Sequence, residues 1–67
     1  MFANINAAAV TELAADLAAV LKPGGRLVAG GIIEERLEAP RAALKAAGLE
    51  IDRVIAEGDW RTILATR

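Results

Sequence analysis

The chain has 67 residues, of which nine are acidic and eight basic, and it contains neither cysteine nor histidine. This composition excludes disulfide bonds, thiolate nucleophiles, imidazole acid–base chemistry and the usual zinc sites. The interspersed charges offer no basic face for nucleic acid, and no apolar run approaches the ~20 residues that span a bilayer. We therefore expect one small domain over residues 1–67, located in the cytoplasm, with no metal, nucleic-acid or membrane partner.

The hydrophobic core is expected to be thin. Hydrophobic residues make up 55% of the chain, but 16 of them are alanine. A domain of this size buries only about 60% of the surface that its unfolded chain exposes. One sheet with one helical layer is the most that these residues can support.

The first third of the sequence predicts a short strand and an amphipathic helix. Met1–Ile5 is apolar but only long enough for the end of a strand, and Asn6 can cap a helix behind it. From about Ala8 to Lys22, large apolar residues recur at spacings of three and four, which is typical of a helical stripe. They are Val10, Leu13, Leu17, Val20 and Leu21. Pro23-Gly24-Gly25 is expected to end the helix.

The middle of the sequence predicts a buried strand and a second helix. Arg26–Ile33 is apolar at both alternating sets of positions, as in a parallel strand that is covered on both faces. Residues 34–38 are expected to form a turn or cap, with the helix starting near Ala39. Pro40 then falls in the first turn, where its missing N–H does no harm. Gly48 is the natural end of this helix.

The last part of the sequence predicts an antiparallel hairpin. Glu50–Glu57 and Trp60–Thr66 resemble strands, and the two-residue link Gly58-Asp59 joins them. Trp60 is expected to anchor the core. The complete order is β-α-β-α-β-β, and right-handed crossovers place both helices on one face of the sheet. The other face has no helix to cover it, and an exposed apolar face usually marks an interface.

Two glycine pairs flank the central strand, and neither is arranged as a phosphate-binding loop. Gly24-Gly25 precedes the strand, whereas such a loop follows a strand and opens a helix. Gly30-Gly31 lies at the end of the strand, but the G-x-G-x-x-G spacing is missing. Glu34 and Glu35 then occupy the place where an anion would bind. We interpret this second pair as a strand end that another backbone or a ligand approaches closely.

Several segments, in a fixed order, resemble one enzyme family. "LKPGGRLV" is similar to the segment before the fifth strand of Rossmann-like S-adenosylmethionine-dependent methyltransferases. The order "ANI", helix, "LKPGGRLVAGGI", helix ending in "AAG", and "EGDW" resembles the C-terminal part of the PrmA family. These bacterial enzymes methylate large-subunit ribosomal protein eleven. The resemblance covers essentially the whole chain, although Gly30 stands where the family commonly has serine.

The resemblance implies a fold and a reaction. The fold is a partial Rossmann-like methyltransferase sheet, mostly parallel, with the last strand antiparallel and inserted to give the sheet order 1-2-4-3. The methyl donor of the parent family is S-adenosylmethionine, and its substrate is a ribosomal protein. The donor lies over the first three strands of the family fold, which have no counterpart in this sequence. We therefore expect a fragment or truncated relative that binds no donor and is inactive alone.

One candidate catalytic and cofactor-binding residue follows from the resemblance, Asn4. The family's matching asparagine ends a strand beside the donor methyl group and the incoming amine. A side-chain carbonyl there can accept a hydrogen bond from the amine and so orient its lone pair. From the residues alone, capping of the next helix by Asn4 is the competing interpretation.

The remaining clusters point to structure rather than chemistry. Glu34, Glu35 and Glu38 are typical of a solvated helix start, and we predict no metal site there. An alternative to the methyltransferase fragment is a small non-catalytic α/β association module. In that case the uncovered sheet face pairs with a second copy of the chain, giving a homodimer. A missing N-terminal half is the other partner that could cover it.

Overall fold

The computed structural model describes all residues, 1–67, and shows a mixed α/β fold with a four-stranded sheet and two helices. The strands are β1 (Phe2–Asn4), β2 (Arg26–Ile33), β3 (Glu50–Glu57) and β4 (Trp60–Thr66). The helices are α1 (Ala7–Val20) and α2 (Glu38–Ala46). The chain order differs from the predicted β-α-β-α-β-β by a 3₁₀ turn at Glu34–Arg36, before α2. Neither helix has the length and apolar content needed to cross a lipid bilayer.

The sheet order is β1-β2-β4-β3, as the resemblance implies. β1 pairs with β2 in parallel, while β4 pairs antiparallel with both β2 and β3. β1, β2 and β3 run in the same direction, so most of the strands are parallel as expected. Only the β1–β2 pairing is parallel, however, because β4 lies between β2 and β3. The tight link before β4 is made by Gly58, whose φ of 61° suits the first position of a two-residue hairpin loop.

Both ends of α1 are set by local signals. The Oδ1 atom of Asn6 accepts a hydrogen bond from the Ala9 N–H at 2.8 Å, so Asn6 is the N-cap as predicted. The helix ends at Val20, two residues before the expected Lys22. Leu21 has already left the helical region, with ψ at 134°, and its side chain is buried. Packing of Leu21 into the core therefore ends the helix before Pro23 is reached.

The residues that α1 buries are small. They are Ala7, Val10, Ala14 and Ala18. The predicted stripe is wrong for two of its large members, because Leu13 is 40% exposed and Val20 is 65% exposed. The helix packs against α2 as well as against the sheet. The buried alanines of α1, hereafter the alanine seam, are Ala7, Ala14 and Ala18. Their small side chains let α1 pack closely, and a longer side chain would overfill the space.

The second helix follows its predicted signals more closely. Pro40 lies in the first turn of α2 and is buried, and Leu44 is completely buried. Gly48 ends the segment with a φ of 95°, a backbone conformation in which glycine carries no steric penalty. α2 therefore presents one apolar side to α1 and the sheet.

The core lies between the helices and one face of the sheet. Alternate residues of β2 and β4 enter it, including Leu27, Ile32 and Ile63. The opposite face, hereafter the open face, is defined by the remaining register positions. Its side chains are Phe2, Asn4, Arg26, Val28, Ile33, Glu50, Arg53, Ile55, Glu57, Trp60, Thr62, Leu64 and Thr66. Trp60 is 55% exposed, so the prediction that it anchors the core is wrong. Its register partner, Ile33, is also exposed, which places Trp60 on the open face.

Candidate functional site

Asn4 is the last residue of β1 and lies on the open face, opposite Gly30 of β2. Its side chain is exposed and makes no hydrogen bond within the chain. The helix that follows is capped by Asn6 instead. The amide of Asn4 is therefore free to bind a molecule from outside, and the competing interpretation of Asn4 as a helix cap does not describe this structure.

The glycine pair of β2 makes room for Asn4. A Cβ atom on Gly31 would lie 2.8 Å from the Asn4 Oδ1 atom and 3.3 Å from the carbonyl oxygen of Ile5. Gly31 also has a φ of 76°, which side-chain-bearing residues rarely adopt. The close approach that the sequence predicts at this pair thus comes from β1. The pair lies at a bulge within β2 rather than at its end, because the register with β4 shifts between Ala29 and Ile32.

A cavity of about 300 Å³ opens next to Gly31. Trp60 and Ile33 contribute its apolar wall, and Asn6 lies at the start of α1 on another side. Arg36 of the 3₁₀ turn is the only charged residue that lines it. The cavity therefore lies between the start of α1, the bulge of β2 and the beginning of β4.

Arg61 holds the β3–β4 hairpin in place beside this cavity. Its Nη1 atom donates hydrogen bonds to the carbonyl oxygens of Gly58 at 2.7 Å and Trp60 at 2.9 Å. Its Nη2 atom lies 3.2 Å from a carboxylate oxygen of Glu34, and the Arg61 side chain is largely buried. The backbone of Trp60 is thereby tied to the turn that follows β2.

The other charged residues singled out from the sequence do not join Asn4. Glu34 pairs with Arg61, while Glu35 and Glu38 line a cleft of about 580 Å³ between α1 and the start of α2. This cleft adjoins the cavity beside Gly31 and shares Arg36 with it. Glu12 of α1 lines the same cleft. These carboxylates belong to the helical side of the molecule, and the Asn4 site lies at the strand ends.

The site can bind and orient a ligand. The carbonyl oxygen of Asn4 and the hydroxyl of Thr62 lie around Gly30. The guanidinium of Arg36 and the exposed ring of Trp60 line the cavity beside Gly31. The Thr62 Oγ1 atom lies 3.7 Å from the position that a Cβ on Gly30 would take, and the Asn4 Oδ1 atom lies 3.6 Å from that position. Two hydrogen-bonding oxygens therefore border the space above Gly30.

Sequence reasoning missed Thr62, Trp60 and Arg36 as members of this region. Thr62 reaches Gly30 only because β4 inserts next to β2, and no local pattern in the sequence carries that information. For Trp60 the sequence did offer a clue: it directly follows a tight turn, and a side chain at the end of a strand can be exposed as easily as buried. Arg36 is positioned by the 3₁₀ turn, which was expected only as an unspecified turn.

Comparisons with known proteins agree on one family. Residues 1–67 match the sequence model described as "Ribosomal protein L11 methyltransferase (PrmA)". A ribosomal protein L11 methyltransferase of Heliobacterium modesticaldum is 40% identical over 67 residues, covering 100% of this chain and 21% of that protein. The Brevibacillus brevis protein of the same name is 43% identical over 65 residues, covering 97% of this chain and again 21% of the relative.

A solved structure supports the same assignment. The crystal structure of a ribosomal protein L11 methylase from Lactobacillus delbrueckii subsp. bulgaricus superposes with a TM-score of 0.91 at 27% identity. The match covers 98% of this chain and 34% of that one. The chain spans about a fifth of the length of the curated relatives it matches. With the family model matched from the first residue to the last, this chain belongs to the ribosomal protein L11 methyltransferase (PrmA) family.

Proposed function

We propose that this chain is a fragment or truncated relative of a PrmA-type enzyme, which transfers a methyl group from S-adenosylmethionine to amino groups of a ribosomal protein, and that it supplies a residue that positions the substrate amine. The observation that carries the proposal is the free amide of Asn4. It ends a parallel strand, is exposed, and is accommodated by the glycines of the neighbouring strand. Membership of the family supplies the reaction class.

Asn4 has a positioning role in this proposal. Its Oδ1 atom accepts a hydrogen bond from the incoming amine and so directs the nitrogen lone pair along one line. Orientation of this kind lowers the barrier without a covalent intermediate. Gly31 contributes by leaving the space that the Asn4 carbonyl needs, since a Cβ there would lie 2.8 Å from Oδ1.

The residues of this chain do not make a site for the methyl donor by themselves. S-adenosylmethionine carries a positive sulfonium and supplies the methyl group. The cavity beside Gly31 has Arg36 as its only charged lining residue, so it offers no carboxylate to balance the sulfonium. The donor site is therefore assigned to the part of the enzyme that the matched relatives have in addition. We expect the 67-residue chain alone to show no methyl transfer. A ribosomal substrate is consistent with the cytoplasmic location expected from the sequence.

The proposal is tested in a chimera. The segment of the Heliobacterium modesticaldum relative that matches this chain is replaced by residues 1–67, and methyl transfer to its ribosomal protein substrate is measured with radiolabelled donor. We expect transfer within about tenfold of the parent enzyme, because a matched packing surface keeps the site geometry. The isolated chain, assayed in parallel, should give background counts only.

A pair of variants separates chemistry from folding in that chimera. Asn4→Ala should lower kcat by about 100-fold, since it removes the group that orients the amine. Glu50→Ala changes an exposed residue at the opposite end of the sheet and should leave kcat close to that of the unsubstituted chimera. A folded chimera without transfer, or equal kcat values for the two variants, would contradict the proposal.

A further inference from the structure

Thr62 lies near Asn4 on the open face, and Gly30 lies between them. Asn4 is the register partner of Gly30, while β4 brings Thr62 to the other side of this glycine. A Cβ on Gly30 would lie 3.6 Å from the Asn4 Oδ1 atom and 3.7 Å from the Thr62 Oγ1 atom. Apart from the adjacent residues of β2, no other atom lies within 4 Å of that position. The two oxygens therefore border the same small space from the two neighbouring strands.

Neither oxygen is used within the chain. The Asn4 amide and the Thr62 hydroxyl make no hydrogen bond to another residue. Of the three threonines, Thr11 and Thr66 do donate hydrogen bonds within the chain, so only Thr62 keeps its hydroxyl free. Asn4 is exposed and Thr62 is partly exposed, so a molecule from outside can reach both.

The two acceptors match the donors of a neutral primary amine, which carries two N–H groups and one lone pair. An amide carbonyl and a hydroxyl oxygen can each accept one N–H hydrogen bond. Because the two N–H bonds diverge, the acceptors of one amine lie about 4.5–5 Å apart at ordinary hydrogen-bond lengths. The contacts at Gly30 place the Asn4 and Thr62 oxygens no further apart than 3.6 and 3.7 Å taken together, which allows this separation. With both N–H groups held, the lone pair is the part of the nitrogen left free to react.

We infer that Thr62 is a second residue that orients the substrate amine: its hydroxyl oxygen accepts one N–H while the Asn4 carbonyl oxygen accepts the other. The inference rests on the proposed function and deepens it. The nitrogen lone pair forms the new N–C bond, the bond between the methyl group and the donor sulfur breaks, and its electron pair stays on sulfur. The methylated nitrogen then loses one proton to solvent. A secondary amine has a single N–H, which Asn4 alone can bind, so Thr62 matters most for an unmethylated amine.

Substitutions of Thr62 in the chimera described above test this role. Thr62→Val keeps the shape of the side chain but removes the hydroxyl, and it should lower kcat on the unmethylated ribosomal substrate by about tenfold. KM should stay within about threefold, because the rest of the substrate binds as before. Thr62→Ser keeps the hydroxyl, and its kcat should stay within about threefold of the original. Thr66→Val removes a hydroxyl at the far end of β4 and should leave kcat unchanged. Far-UV circular dichroism checks that each variant is folded.

The methylation state of the substrate distinguishes orientation of the amine from a structural role of Thr62. On substrate whose amines have been monomethylated chemically, Thr62→Val should lower kcat by no more than about twofold, because Asn4 binds the one remaining N–H. Equal losses on the two substrates, or a Thr62→Ser variant as slow as Thr62→Val, would overturn the inference. If Asn4→Ala is slow but Thr62→Val is not, the inference is wrong and the proposed function stands. A chimera without methyl transfer would overturn both.

Discussion

Ile63 and Leu64 are neighbours on β4, yet they belong to two different environments. Ile63 is completely buried beneath the helices, while Leu64 points to the open face and keeps part of its surface exposed. The side chains of β4 thus enter the core on one face of the sheet and lie on the exposed surface of the other. The helix-covered face holds this chain together, and the open face adds little to the core.

This difference explains how a chain that spans about a fifth of its relatives' length can build a core of its own. The core residues all lie between the sheet and its two helices, and no part of that cluster requires the open face. Hydrophobic burial on one face supplies the stability, whereas the other face stays exposed.

The first prediction compares one substitution on both faces. Ile63→Ala creates a cavity in the core and should lower the free energy of unfolding by about 2–5 kcal/mol. Ile55→Ala, on the open face of β3 and 39% exposed before substitution, should cost about 1 kcal/mol or less. Urea denaturation followed by circular dichroism measures both. Equal losses would break the distinction between the faces.

The second prediction concerns the alanine seam of α1. Ala14 is buried, and Ala15 is exposed on the same helix. Ala14→Leu should destabilise the protein by about 1–3 kcal/mol, because the seam has no room for a larger side chain. Ala15→Leu should change stability by less than about 0.5 kcal/mol. The melting temperatures of the two variants test this, and a stabilised Ala14→Leu would show that the seam is loosely packed.

The third prediction uses two glycines with similar backbone conformations. Gly24 and Gly31 have φ values of 81° and 76°, so alanine at either position should cost about 1–2 kcal/mol in backbone energy. A Cβ at Gly24 meets nothing within 4 Å, whereas at Gly31 it meets Asn4. Gly31→Ala should therefore be the more destabilising of the two in chemical denaturation. Identical losses would mean that Asn4 moves away without cost.

The smallest expected difference lies between the two asparagines. Asn6→Ala removes the hydrogen bond to the Ala9 N–H and should lower the free energy of unfolding by about 1 kcal/mol. Asn4→Ala removes no hydrogen bond within the chain, so stability should stay within about 0.5 kcal/mol of the original. Thermal denaturation distinguishes them. A larger loss for Asn4→Ala would assign that residue a structural role.

Much of the fold could be predicted because its signals are local. The bounds of β2, β3 and β4, the cap at Asn6 and the place of Pro40 in the first turn of α2 all agree with the structure. Each depends on a residue's own backbone preference or on alternation within a few positions. The sheet order was predicted from the family resemblance, because no local sequence pattern indicates that β4 inserts between β2 and β3.

The features that could not be predicted depend on partners distant in sequence. Large residues were expected on the buried side of α1, but the seam with α2 selects alanine, and size alone cannot reveal how closely two helices pack. Trp60 was expected in the core, yet its pairing with Ile33 places it on the open face. For the candidate site, Asn4 came from the resemblance, whereas the contribution of Thr62 required the register of β4 with β2.

The most direct test of the difference between the two faces is the effect of a soluble paramagnetic probe on the methyl resonances of the labelled chain. We predict that the methyl resonances of Val28, Ile33 and Leu64 broaden as the probe is added, while those of Val10, Leu44 and Ile63 stay sharp. That result would identify the open face as accessible surface and the helix-covered face as the core. Broadening confined to the helix-covered residues, or equal broadening of both sets, would contradict the account.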